Sequence, residues 1–108
     1  MRRVAYGLQA RDDLQNIYEY VSLDTGSRAV GRALVSRIRE RCRHLSRLGG
    51  LLGTSRPELA SGLRSTPSGP YLIFFRYGPG VLEVVRVVRG EREVERLAFP
   101  GEPDSSPH

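Results

Sequence analysis

The run "YLIFFRYGPGVLEVVRVV", residues 71–88, leaves this chain little choice of architecture. Both halves are dense in aromatic and β-branched residues, the types that favour a pleated, packed backbone. Between them stands "GPG" (78–80), a tight glycine-containing connection that argues for an antiparallel hairpin. Under strict alternation Leu82, Val84, Arg86 and Val88 share one face of the second strand, with Val81, Glu83, Val85 and Val87 on the other. Both faces are mostly apolar, which predicts a central strand at least partly covered on both sides.

The preceding residues supply the cover for one of those faces. From about residue 9, Ala10, Leu14, Ile17, Tyr18 and Val21 follow the spacing of one apolar helical face, and Asp12 and Asp13 fall in the first turns, where negative charge suits the helix dipole. "DTG" (24–26) breaks this helix, and Ser27 is placed to cap a second one over about 27–47, with Val30, Leu34, Ile38, Cys42 and Leu45 as its apolar stripe. Arg41 falls at the rim of that stripe, its stem packed and its head in water. "GGLLG" (49–53) ends the helix, "GLRSTP" (62–67) reads as a short strand, and "RRVAYG" (2–7) as a short edge strand. The expected class is therefore α+β, an antiparallel sheet with an α-helical hairpin on one face. The hairpin covers only one face, so the other is expected to be an exposed apolar surface that wants a partner. Residues 1–97 read as one domain and 98–108 as a proline-rich tail with too little to bury to be ordered.

A chain of 108 residues holds one modest core. Its formal charge of +5 comes from arginine alone, without a single lysine, and favours an anionic partner, nucleic acid or acidic polypeptide. Cys42 is the only cysteine, which rules out an internal disulfide or a cysteine zinc cluster and suits a reducing compartment. "MRRVAYGL" is too short and polar for a signal peptide and no apolar run reaches membrane length, so a soluble, cytoplasmic protein is expected. His44 reads as a helix-surface residue, His108 lies in the tail, and neither is spaced to share a metal with Cys42. Nucleophilic triads and phosphate-binding glycine loops are missing too, so no metal or cofactor is expected.

Arginine dominates what remains. Arg28, Arg32, Arg39 and Arg43 fall within roughly 60° of one another on a helical wheel, beside the apolar stripe. Arg56, Arg64, Arg76, Arg86, Arg89 and Arg92 lie on strands and at junctions. Guanidinium groups so placed can stabilise a phosphorane-like transition state, grip nucleic acid, or pair with glutamates for solubility. Cleavage also needs a general acid and base, and "RGEREVERLAF" (89–99) offers Glu91, Glu93 and Glu95 but neither His nor Tyr. In "RPELASGLR" (56–64), Pro57 sets an extended approach to the sheet, Leu59 and Leu63 pack, Glu58 is free to pair with an arginine, and Gly62 permits a backbone angle other residues resist. A structural corner is the expectation there, with Arg56 and Arg64 keeping a possible second use at a partner surface.

Together, "ARDDLQNIYEYV", "RPELASGLRSTPSGPYLIFFRY" and "VLEVVRVVRGERE" resemble the ParE branch of the RelE/ParE toxins of bacterial type II toxin–antitoxin systems, over about residues 2–95. The most specific pieces are R-P-E-L-x-x-G-x-R, the aromatic strand ending at Arg76, and a form of R-V-x-H-G-x-R-D. In the last, Arg86, Val87, Gly90 and Arg92 match, while Arg89 replaces the usual His and Glu93 the usual Asp. The proline-containing approach to R-P-E-L is replaced by "GGLLG". The resemblance implies a β-α-α-β-β-β order, a toxin without metal or cofactor, and a cognate antitoxin, ParD-like or another small DNA-binding protein, that wraps the toxin in a hetero-oligomer. An acidic amphipathic segment would suit the arginine stripe and an uncovered sheet face. RelE-like members cleave messenger RNA on the ribosome, commonly with a C-terminal Tyr or His. ParE-like members inhibit DNA gyrase. That C-terminal position is empty here, which implies the ParE type, non-enzymatic and without sequence-specific DNA binding of its own. A RelE-type endoribonuclease and a degenerate toxin that only binds antitoxin are the alternatives.

Overall fold

In a computed structural model of the chain, which describes residues 2–90, the two β-prone runs form the middle of a five-stranded sheet. The elements are β1 (Arg3–Tyr6), α1 (Leu8–Thr25), α2 (Arg28–Arg47), β2 (Thr54–Ser55), β3 (Arg64–Ser68), β4 (Tyr71–Gly78) and β5 (Val81–Arg89). The strand order is β1-β5-β4-β3-β2, and β2 to β5 are antiparallel neighbours. β1 runs parallel to β5, with Arg3 opposite Val81 and Tyr6 opposite Val84. The α+β class and the helix hairpin on one face are as expected, and the sheet is mixed. Each connection reverses the chain, so the first and last of seven elements point the same way. β2 was not expected: two exposed residues, Thr54 and Ser55, carry no alternation to read.

Local chemistry sets the helices. In α1, Ala10, Leu14 and Ile17 are buried, and Gly26 ends the helix at φ 69°, its N–H donating to Ser22 O. Because α1 begins at Leu8, its first turn holds no acidic residue, and Asp13 has another role, described below. The Ser27 hydroxyl accepts from Val30 N–H and caps α2. Ile38, Cys42 and Leu45 fill the core, whereas Val30 stays 45% exposed. Gly31 takes the inward place at that turn, because the helices approach so closely that a Cβ there would lie 2.9 Å from Tyr18 O. Arg41 reaches the sheet at the rim, its Nη2 donating to Thr66 Oγ1 at 3.0 Å.

Two readings of the sheet faces need correction. Phe74 pairs with Arg86 and Phe75 with Val84, so Val85 is the extra residue of a β-bulge. Beyond it the parity of β5 reverses: Leu82, Val84 and Val87 join Ile73 and Phe75 under the helices, while Val85 and Val88 join Leu63 and Phe74 on the other side. That second face is also not an open apolar surface at its centre. Leu63 and Phe74 are 0% exposed, and Leu59, Ala60 and Leu72 pack on them. Leu59, Ala60 and Leu63 belong to the loop before β3, which doubles back over the sheet instead of running straight into it.

The expected domain boundary at 97, the tail 98–108, and Glu91, Arg92, Glu93 and Glu95 lie outside the described residues. Among the described residues, no helix is long and apolar enough to cross a membrane.

Candidate functional site

The arginines divide by what they touch. Arg56 is part-buried; its Nε donates to Glu58 Oε2 at 3.0 Å and its Nη1 to Ser65 Oγ at 3.1 Å, and its guanidinium lies 5.6 Å from the centre of the Phe74 ring. A backbone N–H and Arg56 together hold the Glu58 carboxyl below its ordinary pKa. The Arg56 main chain closes the same loop, N–H to Leu63 O at 2.8 Å, while its carbonyl accepts from Leu59 N–H at 3.1 Å. Exposed Pro57 sits on the outside of this corner, and Gly62 turns it at φ 71°. Arg64 donates to Leu52 O at 2.7 Å and Gly53 O at 3.0 Å, and Leu52 N–H donates to the Tyr77 hydroxyl. Arg2 reaches Leu48 O and Gly50 O and lies over the Tyr77 ring at 4.3 Å. Carbonyls that no helix or strand would satisfy therefore occupy Arg2 and Arg64, while Arg56 locks the corner.

A second tie crosses the molecule. β1 stops at Tyr6, and the last bond of that pair runs from Gly7 N–H to Val84 O. Further along β5, Asp13 from α1 takes over the edge. Its Oδ2 accepts from Val87 N–H at 2.9 Å, and the two carboxylate oxygens accept Arg86 Nε at 2.8 Å and Nη2 at 3.0 Å, a bidentate fork. Both side chains are largely buried, and the hydrogen bond to Asp13 raises the Arg86 pKa. Arg76 pairs with its cross-strand neighbour Glu83 at 3.6 Å.

The remaining arginines form a basic band over α2 and the rim of the sheet. A groove between the helices is lined by Arg11, Arg32 and Arg39 around Leu14, Tyr18 and Val35. Arg39 lies over the Tyr6 ring at 4.9 Å, and Tyr6 also lines a cleft between β1 and α2 with Arg2, Arg3, Arg43 and Arg47. Glu40 is shared by Arg43 at 2.7 Å and Arg47 at 3.2 Å, and its carboxyl is held low chiefly by the Arg43 hydrogen bond. Below the band Cys42 is 0% exposed, and burial pushes its thiol up to about 11, so it is protonated and no nucleophile near neutrality. Burial likewise raises the Tyr6 phenol above its ordinary value.

The structure brings Arg32, Arg39 and Arg43 together on this band. Arg28 lies apart at the hairpin tip, beside Tyr18 and Leu23. Arg89 is exposed at the end of β5, lining a shallow groove with Asn16, Ile17, Tyr20 and Tyr71. Gly90 closes the strand pair, its N–H donating to Pro70 O. Arg92 lies outside the described residues. Sequence reading missed Arg3, Arg11 and Tyr6, which join the band only through the fold, and Arg47, one helical turn beyond Arg43 and findable on the wheel. Asp13, 73 residues from Arg86, carries no local signal for its role.

The family model described as the ParE toxin of the type II toxin–antitoxin system parDE matches residues 4–94. A solved structure, the chromosomal ParDE TA system from P. aeruginosa, superposes with a TM-score of 0.71 at 24% identity, covering 84% of this chain and 98% of that one. At that identity the likeness is one of fold. No curated protein sequence matches the chain.

Proposed function

The chain belongs to the ParE toxin family of type II toxin–antitoxin systems, and from that membership we propose that it acts on DNA gyrase and is neutralised by a co-encoded antitoxin. The observation that carries the reading is how the strand and corner arginines are used. A ribonuclease of this shape needs guanidinium groups directed at a phosphate, with an acid and a base beside them. Here Arg64 and Arg86 are held by protein carbonyls or a carboxylate, and Arg56 by Glu58 and Ser65. After Tyr77 the sequence contains no tyrosine, and its only histidine is His108. Stoichiometric binding to a protein target fits this equipment better than phosphoryl chemistry. The cytoplasm, where gyrase works, is the compartment this reading requires.

The test pairs two assays on the purified chain. Gyrase supercoiling should fall as toxin is added and recover when the product of the adjacent small open reading frame is supplied. Primer extension on messages from induced cells should show no new ends. Ribosome-dependent cuts within minutes of induction, with supercoiling untouched, would replace this reading with the endoribonuclease one. Antitoxin binding with neither activity would leave a toxin that has kept only its partner.

A further inference from the structure

We propose that the outer edge of β1 is a docking edge, on which a short, extended, acidic polypeptide segment adds to the sheet beside β1. The parity of the backbone carries this. Arg3 N–H donates to Gly80 O at 3.1 Å and Gly7 N–H to Val84 O at 3.0 Å. In a parallel ladder each residue turns its N–H and C=O to the same side, so Arg3, Ala5 and Gly7 address β5 while Val4 and Tyr6 address the open edge. At the ends that edge is already closed: Arg2 N–H donates to Ser46 O, and Arg11 Nε donates to Tyr6 O. Between them Val4 N–H, Val4 C=O and Tyr6 N–H have no partner among the described residues. An unpaired strand edge of this kind is a template for another strand.

The surroundings specify the occupant. Val4 and Tyr6 line a cleft of about 360 Å³ flanked by Arg2, Arg3, Arg43 and Arg47, where Glu40 already bridges the last two. That excess of guanidinium selects an anionic guest. A phosphodiester backbone offers only acceptors and would leave Val4 C=O unpaired, whereas a polypeptide strand supplies the donor as well as the acceptors. The free stretch from Val4 to Tyr6 spans about 7 Å, so the paired segment is only a few residues long. The inference deepens the reading above by saying where an antitoxin segment is held, and rests on that reading only for the segment's owner.

The probe is a fluorescent decapeptide of alternating Glu and Val, binding to the intact chain, followed by anisotropy and by amide exchange in NMR spectra. Its comparison is the same peptide with alternate backbone nitrogens methylated, which keeps every charge and removes the pairing donors. The parent peptide should slow exchange at Val4 and Tyr6 by at least about ten-fold and leave Arg3 and Ala5 as they were. The methylated peptide should bind at least about ten-fold more weakly. Arg3→Gln together with Arg47→Gln should weaken the parent peptide further at low salt than at high salt. Equal binding of both peptides with unchanged Val4 and Tyr6 exchange would overturn the proposal in favour of charge alone. A thymidine oligonucleotide that displaces the peptide and itself protects those two amides would overturn it in favour of nucleic acid, and so would failure of the parent peptide to bind at millimolar concentration. None of these readouts involves gyrase, so a failed supercoiling test would leave this result standing.

Discussion

Asp13 accepts three hydrogen bonds, both prongs of the Arg86 fork and the Val87 backbone N–H, at a point where the sheet has lost its neighbouring strand. Removing the carboxylate strands a largely buried guanidinium and a backbone donor together. Asp13→Ala should therefore cost about 3–5 kcal/mol, the range for breaking one side of a buried ion pair. Asp13→Asn keeps an acceptor for Val87 and should cost distinctly less; urea midpoints at constant m-value would measure both, and equal losses would mean that the charge is irrelevant. Cys42 makes a second prediction at this scale. Its pKa is raised from 9.0 to about 11 by burial, so the fold favours the thiol over the thiolate. The stability tied to that preference is fully present below pH 9 and is lost as pH rises toward 11, with Tyr6 shifted in the same direction. A denaturation series across that window should show a fall that Cys42→Ala, measured against its own neutral-pH value, reduces.

Between elements, the closest approach is that of the two helices at Gly31. A Cβ there would press on Tyr18 O at 2.9 Å and on the Ser22 side chain, and backbone cannot yield as a side-chain tip can. Gly31→Ala should lower stability by about 1–3 kcal/mol through overpacking, despite alanine's better helix propensity. Gly49→Ala, where an added Cβ meets nothing within 4 Å, is the control and should be near neutral. Thermal denaturation of the two variants tests this; matching curves would show that the helices move apart freely.

Across the whole molecule the +5 charge is concentrated, because many of the arginines outside the band are tied to carbonyls, Ser65, Glu58, Glu83 or Asp13. The band over α2 then sets the field an approaching partner meets. Exposed ion pairs contribute only about 0.2–1 kcal/mol each and are screened by salt, so their main effect is on encounter. Replacing Arg28, Arg32, Arg39 and Arg43 by glutamine should slow antitoxin association and flatten its salt dependence, with little change in dissociation rate. Arg28, displaced to the hairpin tip, should contribute least. Stopped-flow rates at two salt concentrations would decide, and a dissociation rate raised about 100-fold would mean the band is buried in the complex.

Short-range chemistry made much of this protein readable from its residues. The β4–β5 hairpin, the Ser27 cap, the break at Gly26, the inward Ile38 and Cys42 and the corner at "RPELASGLR" depend on neighbours within a few positions, where spacing and turn geometry act directly. The tertiary structure decided what depends on distant partners. The bulge at Val85 changes which valines meet the helices, because register against β4 rather than alternation along β5 sets the face. The loop around Leu59 covers a face that looked open, because apolar surface is buried by whatever chain can reach it. The same holds for the arginines: seventeen guanidinium groups look alike in a sequence, and only folding gives Arg64 two loop carbonyls, Arg86 a carboxylate, and the band its exposure.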